Sequence, residues 1–186
     1  MSFANKITIF RILSVPFFIT SLIYYTPEKD YLRVIALVIF ILAVISDAID
    51  GYFARARNQK TQAGAILDPL ADKMLLIAAF IFLYIISNQY FVIKLPLWVM
   101  LIVISRDVIL LLCGGIIILA NQENKISATW WGKISTFFQM MTILFLLLKS
   151  NLSYYFWNAA IIFTIVSGVD YLRKGIVMFN TPAQRK

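Results

Sequence analysis

Apolar residues in this chain gather into six long runs, parted by short polar stretches. The first runs from about Ile7 to Tyr25 and ends on the polar turn Thr26-Pro27-Glu28-Lys29-Asp30. The second begins near Tyr31 and is strongly apolar from Val34 to Ile45. It then turns polar through Ser46, Asp47 and Asp50 without meeting a helix breaker. The third begins near Ala65, carries Asp68 and Asp72 in its first turns, and is apolar from Met74 to Ile86. The fourth covers about Pro96 to Ala120 and is interrupted by Arg106 and Asp107; the fifth covers Trp130 to Leu148 and the sixth Tyr154 to Phe179. Runs of roughly 20 apolar residues match the length an α-helix needs to cross hydrocarbon. The pattern therefore predicts an all-α, polytopic membrane protein with six transmembrane helices, forming one domain over residues 1–186. Lys6 and Arg11 ahead of the first run imitate a signal peptide, but no small-x-small cleavage site follows, so this helix is read as retained.

Composition agrees with that reading. The chain is 61% hydrophobic, above the share of an ordinary soluble domain. Its net charge of +8 does not point to nucleic acid, because the basic residues stand at the ends of apolar runs instead of forming a stripe. With six spans, one side of the membrane receives Lys6, Arg55, Arg57, Lys60, Lys125, Lys133, Arg173, Lys174, Arg185 and Lys186. The other side receives Lys29, Arg33, Lys94 and Lys149, offset by Glu28 and Asp30. The positive-inside bias places both termini in the cytoplasm, and with them the polar ends of helices 2 and 3. The single cysteine, Cys113, excludes an internal disulfide. The absence of histidine excludes His-based triads and His-zinc sites. Trp130 and Trp131 read as an interfacial aromatic belt on one side, with Tyr154, Tyr155 and Trp157 on the other.

The candidate chemistry lies where helices 2 and 3 turn polar. Asp47 and Asp50 are three apart, and Asp68 and Asp72 are four apart; on a helix, each spacing shares a face. Two helix ends joined by a short loop can then turn two carboxylate pairs toward one another. Four ionised carboxylates at a membrane edge repel, and each costs on the order of 3 kcal/mol to insert. Divalent metal is the natural offset, and an oxygen-only donor set favours Mg²⁺, Mn²⁺ or Ca²⁺ over zinc. Two metals held this way would suit transfer at a phosphate. Gly51, Ala54 and Gly64 are small enough for a nucleotide to approach the backbone, and Arg55 can neutralise a diphosphate. The same carboxylates would also suit a cation transporter, but they cluster at one face and are followed by Arg55, which opposes cation entry. A non-catalytic scaffold leaves the spacing unexplained.

These residues resemble a known family. Asp47, Asp50, Gly51, Ala54 and Arg55, then eight residues, then Gly64, Asp68 and Asp72 meet the pattern Asp-x-x-Asp-Gly-x-x-Ala-Arg…Gly-x-x-x-Asp-x-x-x-Asp of the CDP-alcohol phosphotransferases. The resemblance implies two Mg²⁺ or Mn²⁺ ions per site, held by Asp47, Asp50, Asp68 and Asp72 around the diphosphate of a CDP-linked lipid. It implies that Asp72 is the general base for the acceptor hydroxyl, with CMP as leaving group. The opening Asn5-Lys-Ile-Thr8-Ile-Phe-Arg11 with Pro16, the run Ser105-Arg106-Asp107 and the run Gly132-Lys133 to Gln139 are similar to the branch that uses sn-glycerol 3-phosphate. That branch moves phosphatidyl from CDP-diacylglycerol and forms phosphatidylglycerophosphate. By the same resemblance Asn5 and Thr8 join the nucleotide side, while Arg106 and Lys133 are the candidates for the acceptor phosphate. For Arg106 an ion pair with its neighbour Asp107 or with the acid cluster is the competing role, and for Lys133 an interfacial lysine. Arg-Asp at 106 and 107 also resembles cardiolipin synthases of the same superfamily, whose acceptor is phosphatidylglycerol. A homodimer in a bacterial inner membrane, surrounded by lipid and without nucleic acid, completes the expectation.

Overall fold

The structure is a computed structural model, and it describes residues 3–57, 62–119 and 130–180. Side chains at 3–8, 47–57, 62–72, 113–119, 172 and 174–180 lie outside the described residues. Six long helices account for nearly all of it: α1 Phe3–Ile23, α2 Asp30–Arg57, α3 Gln62–Tyr90, α4 Leu97–Leu119, α5 Trp130–Leu147 and α6 Ser153–Asn180. No strand occurs among the described residues. The apolar runs thus predicted the helices, with two differences. Helix α1 starts at Phe3 and continues through Pro16, where the ring removes one backbone donor. Helix α3 starts at Gln62, so the polar residues between the acid pairs are largely helical. The turn before α2 holds one 3-10 turn, Pro27–Lys29, with proline at its start.

The helices form a bundle in which α5 and α6 make the most extensive hairpin. Helix α1 packs against both α2 and α3, α5 packs against the same two, and α4 joins α3 to α6. Aromatic rings fill several seams. Phe18 meets Phe40 at 6.2 Å between centroids, Phe138 stacks on Phe163 at 5.1 Å, and Phe145 stacks on Phe156 at 4.7 Å.

Apolar side chains form the core and also cover much of the outer surface, while several polar groups are buried. Arg11, Ser14, Arg106, Asp107, Ser135, Gln139, Thr142, Thr164 and Ser167 are buried. Leu13, Phe17, Val38, Leu42, Ile109, Ile162 and Ile165 are exposed in the middle of their helices, Phe17 to 67%. Among the described residues one stretch, Lys73–Tyr90, with a mean hydropathy of 1.5, is long and apolar enough to cross a membrane by length and composition. The aromatic belt needs one correction. Trp130, Trp131, Tyr154 and Tyr155 are exposed, but Trp157 is 4% exposed and belongs to the core, set edge-on to Tyr154 at 5.4 Å. Tyr154 and Trp157, three apart, are neighbours on α6, but Trp157 lies a turn further along the helix and packs into the core while Tyr154, in the first turn, stays exposed.

One end of the bundle is tied by a carboxylate. Asp30, at the head of α2, accepts from Arg33 at 2.6 Å and from Lys149 of the α5–α6 turn at 2.7 Å. Arg33 also donates to the carbonyl of Leu147. Lys149 sits just past α5 with φ 53°, and Lys149 N–H to Leu146 C=O and Ser150 N–H to Phe145 C=O close the helix end as a Schellman motif. Glycine is the usual residue there; lysine accepts the left-handed backbone while its ammonium reaches Asp30 and lies over the rings of Tyr25 and Phe91.

Candidate active site

The backbone places Asp47, Asp50, Gly51, Ala54 and Arg55 in the last turns of α2, and Gly64, Asp68 and Asp72 in the first turns of α3. Asn5 and Thr8 fall in the first turns of α1. The side chains of these ten lie outside the described residues, so their mutual geometry is not part of the described structure. The adjoining turns are described. Arg11 of α1, Phe40, Ala43 and Val44 of α2, Leu75 and Leu76 of α3, and Met140 of α5 line one cleft. Ala43 precedes Asp47 by four residues and Leu76 follows Asp72 by four, each in a continuous helix. The cleft therefore lies one turn deeper than the acid-bearing ends of α2 and α3. Arg11 is the one charged residue in an otherwise apolar lining, and it is 1% exposed.

A second polar group sits beside the start of α3. Lys73, directly after Asp72, reaches Asp107 of α4, its Nζ lying 2.9 Å from Oδ1. The same Oδ1 accepts from Arg106 Nη1 at 2.7 Å. Arg106 Nη2 donates to Ser167 Oγ of α6 at 2.7 Å. Side-chain exposures are 15% for Lys73, 8% for Arg106 and 1% for Asp107. The carboxylate oxygen joins α3 to α4, and Arg106 extends the link to α6 through Ser167. The other oxygen, Oδ2, and Arg106 Nε meet no hydrogen-bond partner among the described residues. Arg106 does form the ion pair with Asp107 that competed with its phosphate role. Lys133, the other candidate, is exposed on α5.

Sequence reasoning missed Lys73 and Ser167 as members of this group. The available signal was a lysine directly after the last acid and at the head of an apolar run, where a charge demands a partner. Gln139 is also fully buried on α5, and neither Oε1 nor Nε2 has a hydrogen-bond partner among the described residues. Nearby, Ser135 and Thr164 pair their hydroxyls at 2.8 Å between α5 and α6.

The sequence that carries this acid spacing is similar to known proteins. A family model described as CDP-alcohol phosphatidyltransferase matches residues 1–166. The chain belongs to the CDP-alcohol phosphatidyltransferase family. Relatives named CDP-diacylglycerol–glycerol-3-phosphate 3-phosphatidyltransferase include one from Haemophilus influenzae, 36% identical over 184 residues, which covers 94% of this chain and 94% of that protein. Another, from Escherichia coli strain K12, is 31% identical over 171 residues, covering 89% of this chain and 90% of that protein. In this phosphatidyltransferase family member, the match takes in both acid-bearing helices and the Lys73–Arg106–Asp107 group.

Proposed function

We propose that this chain transfers a phosphatidyl group from CDP-diacylglycerol to sn-glycerol 3-phosphate, releasing CMP and forming phosphatidylglycerophosphate. The observation that carries the reading is similarity over nearly the full chain to bacterial enzymes of that name. The family's acid pattern, borne in full by the end of α2 and the start of α3, supports it. In the reaction, Asp72 takes the proton from the acceptor's primary hydroxyl. The hydroxyl oxygen then forms a bond to the phosphorus carrying diacylglycerol, and the bond from that phosphorus to the bridging oxygen breaks, expelling CMP. Asn5, Thr8, Gly51, Ala54, Arg55 and Gly64 surround the nucleotide and diphosphate. Arg106 and Lys133 receive the acceptor's phosphate.

The donor set of Asp47, Asp50, Asp68 and Asp72 suits two hard divalent cations, because carboxylate oxygen is the ligand Mg²⁺ and Mn²⁺ prefer. Bound there, the ions would neutralise the diphosphate and stabilise charge on the leaving phosphate. The large apolar side chains exposed along the middle of the helices support six bilayer-spanning helices with that surface facing hydrocarbon. Both termini and the acid-bearing ends then lie on the cytoplasmic side of a bacterial inner membrane, and the chain works as a homodimer.

The test is an acceptor panel with purified protein and labelled CDP-diacylglycerol. Label should pass to glycerol 3-phosphate, need added Mg²⁺ or Mn²⁺, and fall at least about 10³-fold in Asp72→Asn. Label passing to phosphatidylglycerol and not to glycerol 3-phosphate would replace this reading with cardiolipin synthesis.

A further inference from the structure

We infer that the end of the bundle remote from the acid-bearing turns carries a binding surface for the headgroup of an anionic phospholipid, anchored on the Lys149 ammonium. The inference rests on the six-span reading of the chain and is independent of the acceptor. The helix connections at that end meet at Lys149, in the turn between α5 and α6. Its Nζ donates to Asp30 of α2 at 2.7 Å. The same Nζ lies 5.7 Å from the ring centre of Tyr25, between α1 and α2, and 5.5 Å from that of Phe91, between α3 and α4. Arg33 is engaged at all three guanidinium nitrogens: Nε and Nη2 donate to Asp30, and Nη1 donates to the carbonyl of Leu147. Lys149 keeps capacity outward. Asp30 accepts one of its three ammonium hydrogens, and the side chain is 41% exposed.

Charge at this end leans positive. Arg33 and Lys149 share the one carboxylate of Asp30. Exposed Lys94 adds a further cation, while exposed Glu28 and Lys29 offset one another. The height of the group along the bundle identifies the anion it suits. Exposed Tyr24, Tyr31, Trp98, Tyr154 and Tyr155 stand at or beside the ends of α1, α2, α4 and α6 that border it. Tyrosine and tryptophan in such a collar sit at the level of lipid headgroups, where a phosphodiester stands. A zwitterionic lipid brings its own cation beside the phosphate, whereas an anionic one leaves the phosphate charge for Lys149. A basic residue at the surface favours anionic lipid about fivefold. Asp30 and a lipid phosphate compete for the same ammonium. Neutralising Asp30 should therefore strengthen lipid binding, which a purely structural tie would not do.

The experiment uses the full chain in lipid vesicles. A bimane fluorophore on Leu148→Cys, an exposed neighbour of Lys149, reports nearby lipid in a Cys113→Ala background. Phosphatidylglycerol and phosphatidylcholine, each with a nitroxide high on one acyl chain, are compared as quenchers to give their relative association constant. It should favour phosphatidylglycerol about fivefold. Lys149→Gln should abolish the preference, Lys149→Arg should keep it, and Asp30→Asn should raise it about twofold or more. No preference with Lys149 present, an unchanged preference in Lys149→Gln, or a fall in Asp30→Asn overturns the inference. Where Lys149→Gln does not fold, Asp30→Asn decides by the same rule. Displacement of the lipid by acyl-free glycerophosphoglycerol would make a soluble phosphodiester the occupant and overturn it equally. Extraction of the chain from vesicles by alkaline carbonate defeats the six-span reading itself. A chain that stays in the vesicles without lipid preference defeats only the lipid site.

Discussion

Asp107 and Asp30 offer one perturbation in two surroundings. Each carboxylate serves two cations: Asp107 holds Lys73 and Arg106 at 2.9 and 2.7 Å, and Asp30 holds Arg33 and Lys149 at 2.6 and 2.7 Å. Contact distances alone would rank them equal. Exposure does not, because the Asp107 side chain is 1% exposed and that of Asp30 is 41%. Asp107→Ala removes a shared carboxylate from two largely buried cations, and removing one partner from a buried pair costs about 3–5 kcal/mol. Asp30→Ala releases Lys149, itself 41% exposed, to solvent, and half-exposed pairs contribute about 0.2–1 kcal/mol each. Taking roughly 4 against 1 kcal/mol, and about 3 °C per kcal/mol for a chain of this size, Tm should fall by about 12 °C and about 3 °C. Thermal unfolding of both variants in one detergent, followed by tryptophan fluorescence, measures the difference. Equal shifts, or a larger one for Asp30→Ala, would refute burial as the quantity that ranks these sites. A pH series adds a second check. Hydrogen bonds from Arg33, and next from Lys149, hold the Asp30 carboxyl well below the usual carboxylate range. A depressed folded pKa gives stability that is fully present above the unfolded value, about 3.9, and is lost as pH falls toward the folded one. The gap between wild type and Asp30→Ala should therefore be full near neutrality and close below about pH 4.

Other expectations follow from the same pattern of burial. Gln139→Leu replaces a fully buried amide with no hydrogen-bond partner among the described residues by an apolar group of similar size, so Tm should stay constant or rise by a few degrees, about 1 kcal/mol at most; a fall beyond about 5 °C would show that the amide is hydrogen-bonded in the folded protein. Phe18→Ala, at 0% exposure, should lower stability by about 3–5 kcal/mol, whereas Phe17→Ala, at 67%, should change it by less than about 0.5 in matched detergent unfolding curves. Lys149→Gly relieves the left-handed backbone but gives up the ion pair, so the two effects, each about 1 kcal/mol, should nearly cancel in Tm.

The helices were legible because their signal is local. Long apolar runs bounded by polar turns favour helices, and all six helices appear with ends within a few residues of expectation. The acid pattern was legible for the same reason: its spacing lies within two neighbouring helices, so a linear reading sees all eight positions. The family followed from that pattern. The partner of Arg106 was only half legible. Asp107 is its neighbour in sequence, but Lys73 and Ser167 come from helices 34 and 60 residues away from Asp107, brought in by packing.

The chain alone determined where helices form, which ends carry carboxylates and what family chemistry those ends suit, since propensity, hydropathy and i,i+4 spacing act within a few turns. Rotation of each helix about its own axis was decided only by the tertiary structure. That rotation buries Trp157 while Tyr155 stays exposed, brings Lys149 to Asp30, and seats two cations from different helices on one oxygen of Asp107. It is fixed by how side chains of separate helices interlock, and such contacts leave no periodic trace along a single strand of sequence.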